Sequence, residues 1–200
     1  KKFRVLNKYI CREKLGLDKR IKIIFTLSSL VKQKGHIYAI EAIKYLKNKR
    51  TPNFVYFIGG SGNLKDSLEE KIKKINLEDK IKLIGFIPEE KISLWMNAID
   101  IFLLPSLYEG NPTVMFEALG CGKPFVGSSV GGIPEIIIND KIGLISKPRD
   151  SKDLSRKIFF ALNKKWDNKF IANYAKQFTW KKICKKIIKI YERCLYEHSL

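Results

Sequence analysis

Ile101-Phe102-Leu103-Leu104-Pro105-Ser106-Leu107-Tyr108-Glu109-Gly110-Asn111-Pro112-Thr113-Val114-Met115-Phe116-Glu117-Ala118-Leu119-Gly120-Cys121-Gly122 decides the fold. A short, wholly apolar run marks a strand buried on both faces, and Pro105 ends it. A turn leads to Asn111-Pro112, where Asn suits an N-cap and Pro the first helical position. The helix is expected over about Pro112–Leu119, with Gly120 and Gly122 offering a left-handed stop. In this strand–loop–helix unit the free N–H groups at Thr113 and Val114 form an anion site. Glu117 lies four residues after Thr113, on the same helix face, and Glu109 stands in the loop just ahead. On spacing alone these two acids could equally be a solvated loop residue and an ordinary helix-surface residue.

Outward from this unit, strands and helices alternate. Strands are expected at 21–27, 53–58, 80–84, 101–104, 124–128 and 143–145, with helices between them at about 37–48, 64–75 and 89–97. A short helix at Val5–Leu15 precedes them; helices at 151–163, 168–178 and 180–197 follow. Such alternation gives an α/β fold, a doubly wound, Rossmann-like parallel sheet covered on both faces, with C-terminal helices. Its ligands sit at the carboxyl ends of the strands, where the loops at 28–35, 59–62, 85–88, 105–113 and 129–134 gather. The expected division is a lead-in segment at 1–20, a Rossmann-like domain at 21–163 and basic helices at 164–200. Gly59-Gly60-Ser61-Gly62 is no dinucleotide fingerprint, because Lys65 stands where a third glycine belongs. Gly60 either lines the cleft or serves a tight turn; Phe86 and Ile87 either form an apolar shelf or pack in the core.

The chain has 200 residues, enough for one domain with a sizeable core. Its charge is +19, from 39 basic and 20 acidic residues, and residues 164–189 hold nine lysines against the single acid Asp167. That run reads as a solvated lysine-rich face or as attraction to an anionic membrane surface. The lysines at 181, 182, 185, 186 and 189 share the last helix with Ile183, Ile187, Ile190, Tyr191 and Leu195. Zinc-finger spacing and RNA-recognition signatures are absent, which argues against a nucleic-acid partner. The four cysteines form no Cys-x-x-Cys, so a reduced, cytoplasmic protein is expected. No apolar run reaches the ~18 residues of a membrane span, and no apolar signal segment is seen.

Pro105-Ser106-x-Tyr108-Glu109-Gly110-x-Pro112, followed by Glu117-Ala-Leu-Gly-Cys-Gly-Lys-Pro124 and by Ser128-Ser129-Val130-Gly131-Gly132-Ile133-Pro134-Glu135, resembles the signature of the retaining glycosyltransferases with the GT-B fold, the glycosyl transferases group 1 family. The likeness runs over roughly residues 21–160. It implies a nucleotide-diphospho-sugar donor, a UDP-sugar by first expectation and a GDP-sugar by second. A whole GT-B enzyme has two such domains, so the chain resembles the donor-binding C-terminal half, and its partner would be an acceptor-binding N-terminal domain. By resemblance Glu109 contacts the donor sugar, Glu117 holds the ribose, and Lys34 binds the diphosphate together with the helix N-terminus at Gly110, Asn111, Pro112, Thr113 and Val114. The loop ending in Lys34-Gly35 departs from the family pattern: Ser28-Ser29-Leu30 replaces Gly-Arg-Leu, and Ser29 cannot supply a guanidinium fork. Lys34 then acts alone or with Lys32. His36 reads as a helix-start residue. No Asp-x-Asp pair is present to hold a metal, so neither metal nor cofactor is expected. The rival readings are a nucleotide-sugar epimerase or hydrolase on the same fold, and a non-enzymatic anion-binding module.

Overall fold

The computed structural model describes residues 2–47 and 49–197. Asn48, the expected end of the second helix, and residues 198–200 of the expected C-terminal region lie outside them. Six parallel strands form one sheet: β1 (Lys22–Leu27), β2 (Phe54–Gly59), β3 (Ile81–Gly85), β4 (Ile101–Leu104), β5 (Phe125–Ser128) and β6 (Gly143–Ser146), in the order β3-β2-β1-β4-β5-β6. The chain winds outward in one direction from β1 and in the other from β4. The crevice between these two strands is therefore the topological switch point of the sheet.

The apolar runs are continuous because both faces of each strand are covered. In β1, Ile24 joins one core cluster while Ile23 and Phe25 join the other. In β4, Ile101 and Leu103 face the first cluster, Phe102 and Leu104 the second. This is the period of two of a strand, filled with hydrophobes on both sides. The first cluster is closed by α2 (His36–Leu46), α3 (Lys65–Lys74) and α7 (Ser151–Asn163), the second by α4 (Glu89–Ala98), α5 (Thr113–Gly120) and α8 (Asn168–Ala175). The remaining helices are α1 (Lys8–Lys14), the single turn α6 (Ile133–Ile136) and α9 (Trp180–Glu197). α9 leaves Ile187, Ile188, Ile190, Tyr191 and Leu195 exposed.

Asn111 does not cap α5. Pro112 itself takes the cap position with an extended backbone (ψ 112°), and no side chain bonds to the first-turn amides. The residue before a proline is driven out of the helical region, and here the helix starts one residue later still. Where a capping side chain is present, it is Asn7 for α1, Asp150 for α7 and Asp167 for α8. The stop of α5 also differs from expectation: Gly120 is helical, and Gly122 alone takes the left-handed conformation, at φ 72°.

α1 begins at Lys8 rather than Val5 and is fastened by Arg12, which is 1% exposed. The guanidinium donates to the carbonyls of Ala98, Asp18, Lys19 and Ile21 and to the Asp100 carboxylate at 2.6 Å. Burial alone would push the Asp100 carboxyl up, but Lys8, the Ile23 amide and Arg12 together hold it below the usual carboxylate range. One side chain thus ties α1, the segment before β1, the end of α4 and the segment before β4. Arg12→Met leaves the buried Ala98 carbonyl, three part-buried carbonyls and the Asp100 carboxylate without this donor. It should lower the unfolding free energy by about 3–5 kcal/mol, the usual loss when one partner of a buried ion pair is removed, as read from urea denaturation with an unchanged m-value.

Candidate functional site

The loops leaving the carboxyl ends of β2, β1, β4 and β5 lie backbone against backbone over the switch point. A Cβ on Gly60 would sit 1.9 Å from the Ser28 carbonyl oxygen, one on Gly35 2.0 Å from that of Pro105, and one on Gly131 1.9 Å from that of Glu109. Hydrogen bonds follow the same seams: Leu30 N to Ser61 O, Leu107 N to Gln33 O, Gly132 N to Gly110 O, and Gly60 N to Gly85 O. Gly35, Gly60 and Gly131 also have positive φ, so each is required twice, by space and by conformation. For Gly60 the close approach to the neighbouring loop is what the geometry explains.

At the centre of this seam Lys34 donates to Glu109 Oε1 at 2.7 Å, and the Ser106 hydroxyl donates to the same oxygen at 2.6 Å. The Glu109 side chain is 7% exposed and that of Lys34 26%. Oε2 of Glu109 takes no hydrogen bond among the described residues. The structure therefore joins two residues that lie 75 positions apart in sequence. Beside them α5 begins. Its Met115 amide bonds back to Pro112 O, and the Thr113 and Val114 amides find no acceptor in the chain among the described residues. The loop thus sets a carboxylate, an ammonium and a helix N-terminus around one point, which suits a ligand carrying both hydroxyls and phosphate.

Glu117 stands one turn along α5, half-buried, and with Asn111 and Thr113 it lines a groove of about 980 Å³ between residues 2–5, α5, α8 and α9. Burial pushes its carboxyl up, with Lys2 opposing and Glu89 adding to the rise. Asn111 is exposed, and its Oδ1 sits against Gly132, where a Cβ would come within 2.6 Å. Of the remaining expected residues, Ser29 and Gly110 are exposed and Pro112 is buried. Phe86 is 75% exposed, while Ile87 is 6% exposed, its Cδ1 packed under Gly59. Ile87 is therefore core, and Phe86 alone presents a ring. Lys32 is exposed, and its ammonium makes no hydrogen bond or ion pair among the described residues.

Two contributors escape a reading of the sequence. Ser106 stands in the motif that runs from Pro105 to Pro112, three residues before Glu109, but nothing in that pattern assigns its hydroxyl to the Glu109 carboxylate. His36 is the first residue of α2 and 1% exposed. Burial lowers its pKa, so the neutral ring donates from Nε2 to the Ser29 carbonyl at 3.0 Å, and Nδ1 is left without a partner among the described residues. It acts as a pillar under the loop that carries Ser29 and Lys34.

If the Lys34–Glu109 pair organises the seam, the residues are energetically coupled. Lys34→Met and Glu109→Gln should each destabilise the chain. The double variant should cost less than the two single losses combined, with a coupling energy of about 1–3 kcal/mol in a double-mutant cycle followed by chemical denaturation. Simple additivity would mean that the pair is a surface contact.

A sequence model of the family described as glycosyl transferases group 1 matches residues 8–178. The amylovoran biosynthesis glycosyltransferase AmsK of Erwinia amylovora is 38% identical over 138 residues, which are 66% of this chain and 34% of AmsK. Among solved structures, the C-terminal domain of the glycosyl transferase group 1 family protein LpcC from Francisella tularensis superposes with a TM-score of 0.71 at 25% identity, covering 86% of this chain and 90% of that one. The Anabaena protein Alr3699/HepE, solved in complex with UDP and glucose, superposes with a TM-score of 0.77 at 23% identity, covering 96% of this chain and 54% of that one. The chain spans from about a third to about half of the length of the curated relatives it matches, 34% and 47% in two cases.

Proposed function

The chain belongs to the glycosyl transferases group 1 family, and from that premise we propose that it is the donor-binding half of a retaining GT-B glycosyltransferase. The observation that carries the proposal is the Lys34–Glu109 pair held at 2.7 Å beside the open N-terminus of α5. The donor is a nucleotide-diphospho-sugar, and a UDP-sugar is the first choice. Alr3699/HepE, of similar fold, was solved with UDP and glucose. In this reading the diphosphate draws the Lys34 ammonium and lies on the Thr113 and Val114 amides, which stabilise the charge left on the departing phosphate. Glu109 keeps Ser106 on Oε1 and offers Oε2 to the sugar hydroxyls, favouring a cationic, sugar-like transition state. Glu117 accepts from the ribose, and Phe86 shelters the base. Ser29 stands where the family pattern has arginine and leaves Lys34 as the main cation. The acceptor is bound by the rest of the protein, in the N-terminal half of the GT-B pair.

Calorimetry with UDP, GDP and a panel of UDP-sugars tests this directly. Glu117→Ala should weaken UDP and UDP-sugar alike, by about tenfold or more, the worth of a hydrogen bond to a charged group. Glu109→Ala should weaken the sugar nucleotide only, because it loses the hydroxyl acceptor and leaves Lys34 to the phosphates. Ser29→Arg should tighten UDP by a similar factor and leave the bare nucleoside unchanged. Equal losses of both ligands in the two glutamate variants would sink the division of roles.

The proposal also places the protein in the cytoplasm, peripheral to a membrane. No helix among the described residues is long and apolar enough to cross one. α9 instead exposes Ile187, Ile188 and Ile190 on a helix that carries lysines 181, 182, 185, 186 and 189, a combination suited to an anionic surface. Flotation with vesicles containing phosphatidylglycerol should show binding that fades with salt and is lost when the five lysines become glutamine. Binding that survives those replacements would leave the lysines as a solvated face.

A further inference from the structure

The opposite end of the sheet holds a second basic site. Lys123 follows α5 and precedes β5, and it is 3% exposed. Among the described residues its ammonium makes no hydrogen bond and no ion pair. It borders a cavity of about 200 Å³ at the amino ends of β1, β4 and β5, shared with Lys8, Lys22, Lys164, Lys165 and Asp100. The single carboxylate there is already taken: Lys8 donates to it at 2.9 Å, Arg12 at 2.6 Å, and Lys22 stands at 3.8 Å. Lys164 is held by Asp140 at 2.7 Å. Lys123 and Lys165 face the cavity with no ion pair of their own among the described residues; Asp100 acts on Lys123 only from beyond contact distance.

We propose that this cavity binds a small phosphate-type oxyanion, inorganic phosphate or a soluble phosphate monoester, with the Lys123 ammonium as its buried anchor and Lys22 and Lys165 at its rim.

The side chain is almost wholly covered and its nitrogen meets water only through the cavity; an ammonium so poorly hydrated and without a partner is costly, so such groups are found paired or lose their proton. Burial, with repulsion from Lys8 and Arg12, brings Lys123 down to about 8 although Asp100 pulls the other way. It is thus still charged at neutral pH, and a bound dianion supplies the missing counter-charge. The cavity is smaller than the ~300–1,000 Å³ pockets that hold drug-sized ligands, which selects a compact anion over a whole nucleotide. The site is separate from the one beside α5. It opens at the amino ends of the strands, and four to six residues of strand, roughly 13–20 Å, lie between the two ends of the sheet.

The test is thermal unfolding of the 200-residue chain in inorganic phosphate against sodium chloride of matched ionic strength. Phosphate should raise Tm saturably, by about 3–5 °C at tenfold over its Kd. Lys123→Met, which exchanges a buried ammonium for an apolar chain of similar length, should abolish the phosphate-specific increment. Lys34→Ala, at the other end of the sheet, should retain it. Because any buried substitution can impair folding, Lys165→Ala and Lys22→Ala at the rim provide the second reading, each weakening phosphate about tenfold. Glycerol 3-phosphate should compete with inorganic phosphate. An increment equal to that of chloride, one that persists in Lys123→Met, or one lost in Lys34→Ala instead overturns the proposal. Binding to vesicles of phosphatidic acid in phosphatidylcholine, dependent on Lys123 but without any response to inorganic phosphate, would identify a lipid headgroup and also overturn it.

Discussion

The close approach of bare backbones over the β1–β4 junction is the constraint on which the rest of the site depends. Gly35 meets Pro105, Gly60 meets Ser28 and Gly131 meets Glu109 at distances that no Cβ could occupy. Three glycines therefore fix the loops relative to one another before any side chain is placed. The strand order leaves this junction uncovered by a crossover helix, because the chain leaves β1 toward one edge and β4 toward the other. Helices on both faces hold the sheet rigid, and the glycine seams carry that rigidity into the loops. The positions of Lys34, Ser106 and Glu109 are thus set by packed backbone rather than by flexible loop ends.

On this frame the ion pair carries an energetic tension. Glu109 has almost no solvent, and its charge is met by one ammonium and one hydroxyl on a single oxygen. A mostly covered carboxylate with protein partners on one oxygen only leaves the other facing the cleft and its water. The structure tolerates it because Lys34 is close and because the α5 N-terminus adds partial positive charge nearby. A ligand bringing hydroxyls to Oε2 and phosphate to Lys34 and the α5 amides would complete both ends at once.

Much of this was legible in the sequence for identifiable reasons. Strand positions followed from apolar runs in which both faces are buried, and each of the six observed strands begins or ends within a residue of its expected bounds. The helix that starts near Pro112 was legible from a loop followed by an apolar period, but its cap was not: Asn111 has the right chemistry and the wrong place, because Pro112 takes the extended cap position and Asn111 turns to Gly132. Phe86 and Ile87 are adjacent and alike in composition. Both follow β3, and Gly85 at φ 71° turns the chain out of the strand, so strand alternation does not say which of them joins the second cluster. The Lys34–Glu109 and Arg12–Asp100 contacts link positions 75 and 88 residues apart, and local pattern carries no information about such pairs. No local pattern singles out Arg12, which is among the most deeply buried side chains of the fold.

A parallel α/β sheet is electrically polar, and this chain uses both poles. Every crossover helix starts above the carboxyl ends of the strands and finishes near their amino ends, so N–H groups collect at one end and carbonyls at the other. At the carboxyl end, a helix N-terminus favours anions, and the acid placed there, Glu109, is neutralised by Lys34. At the amino end, α4 and α7 finish, and their carbonyls favour cations. Arg12 donates to the Ala98 carbonyl at the end of α4, and Lys8, Lys22, Lys123, Lys164 and Lys165 gather around Asp100 close by. The helix ends explain how so many cations can crowd the base of one domain. They do not cancel it, since a helix end supplies only about half a charge and, among the described residues, Asp100 is the one carboxylate lining the cavity. The excess positive charge at the base is therefore left for a ligand, and the buried Lys123 is where it is least shielded by water.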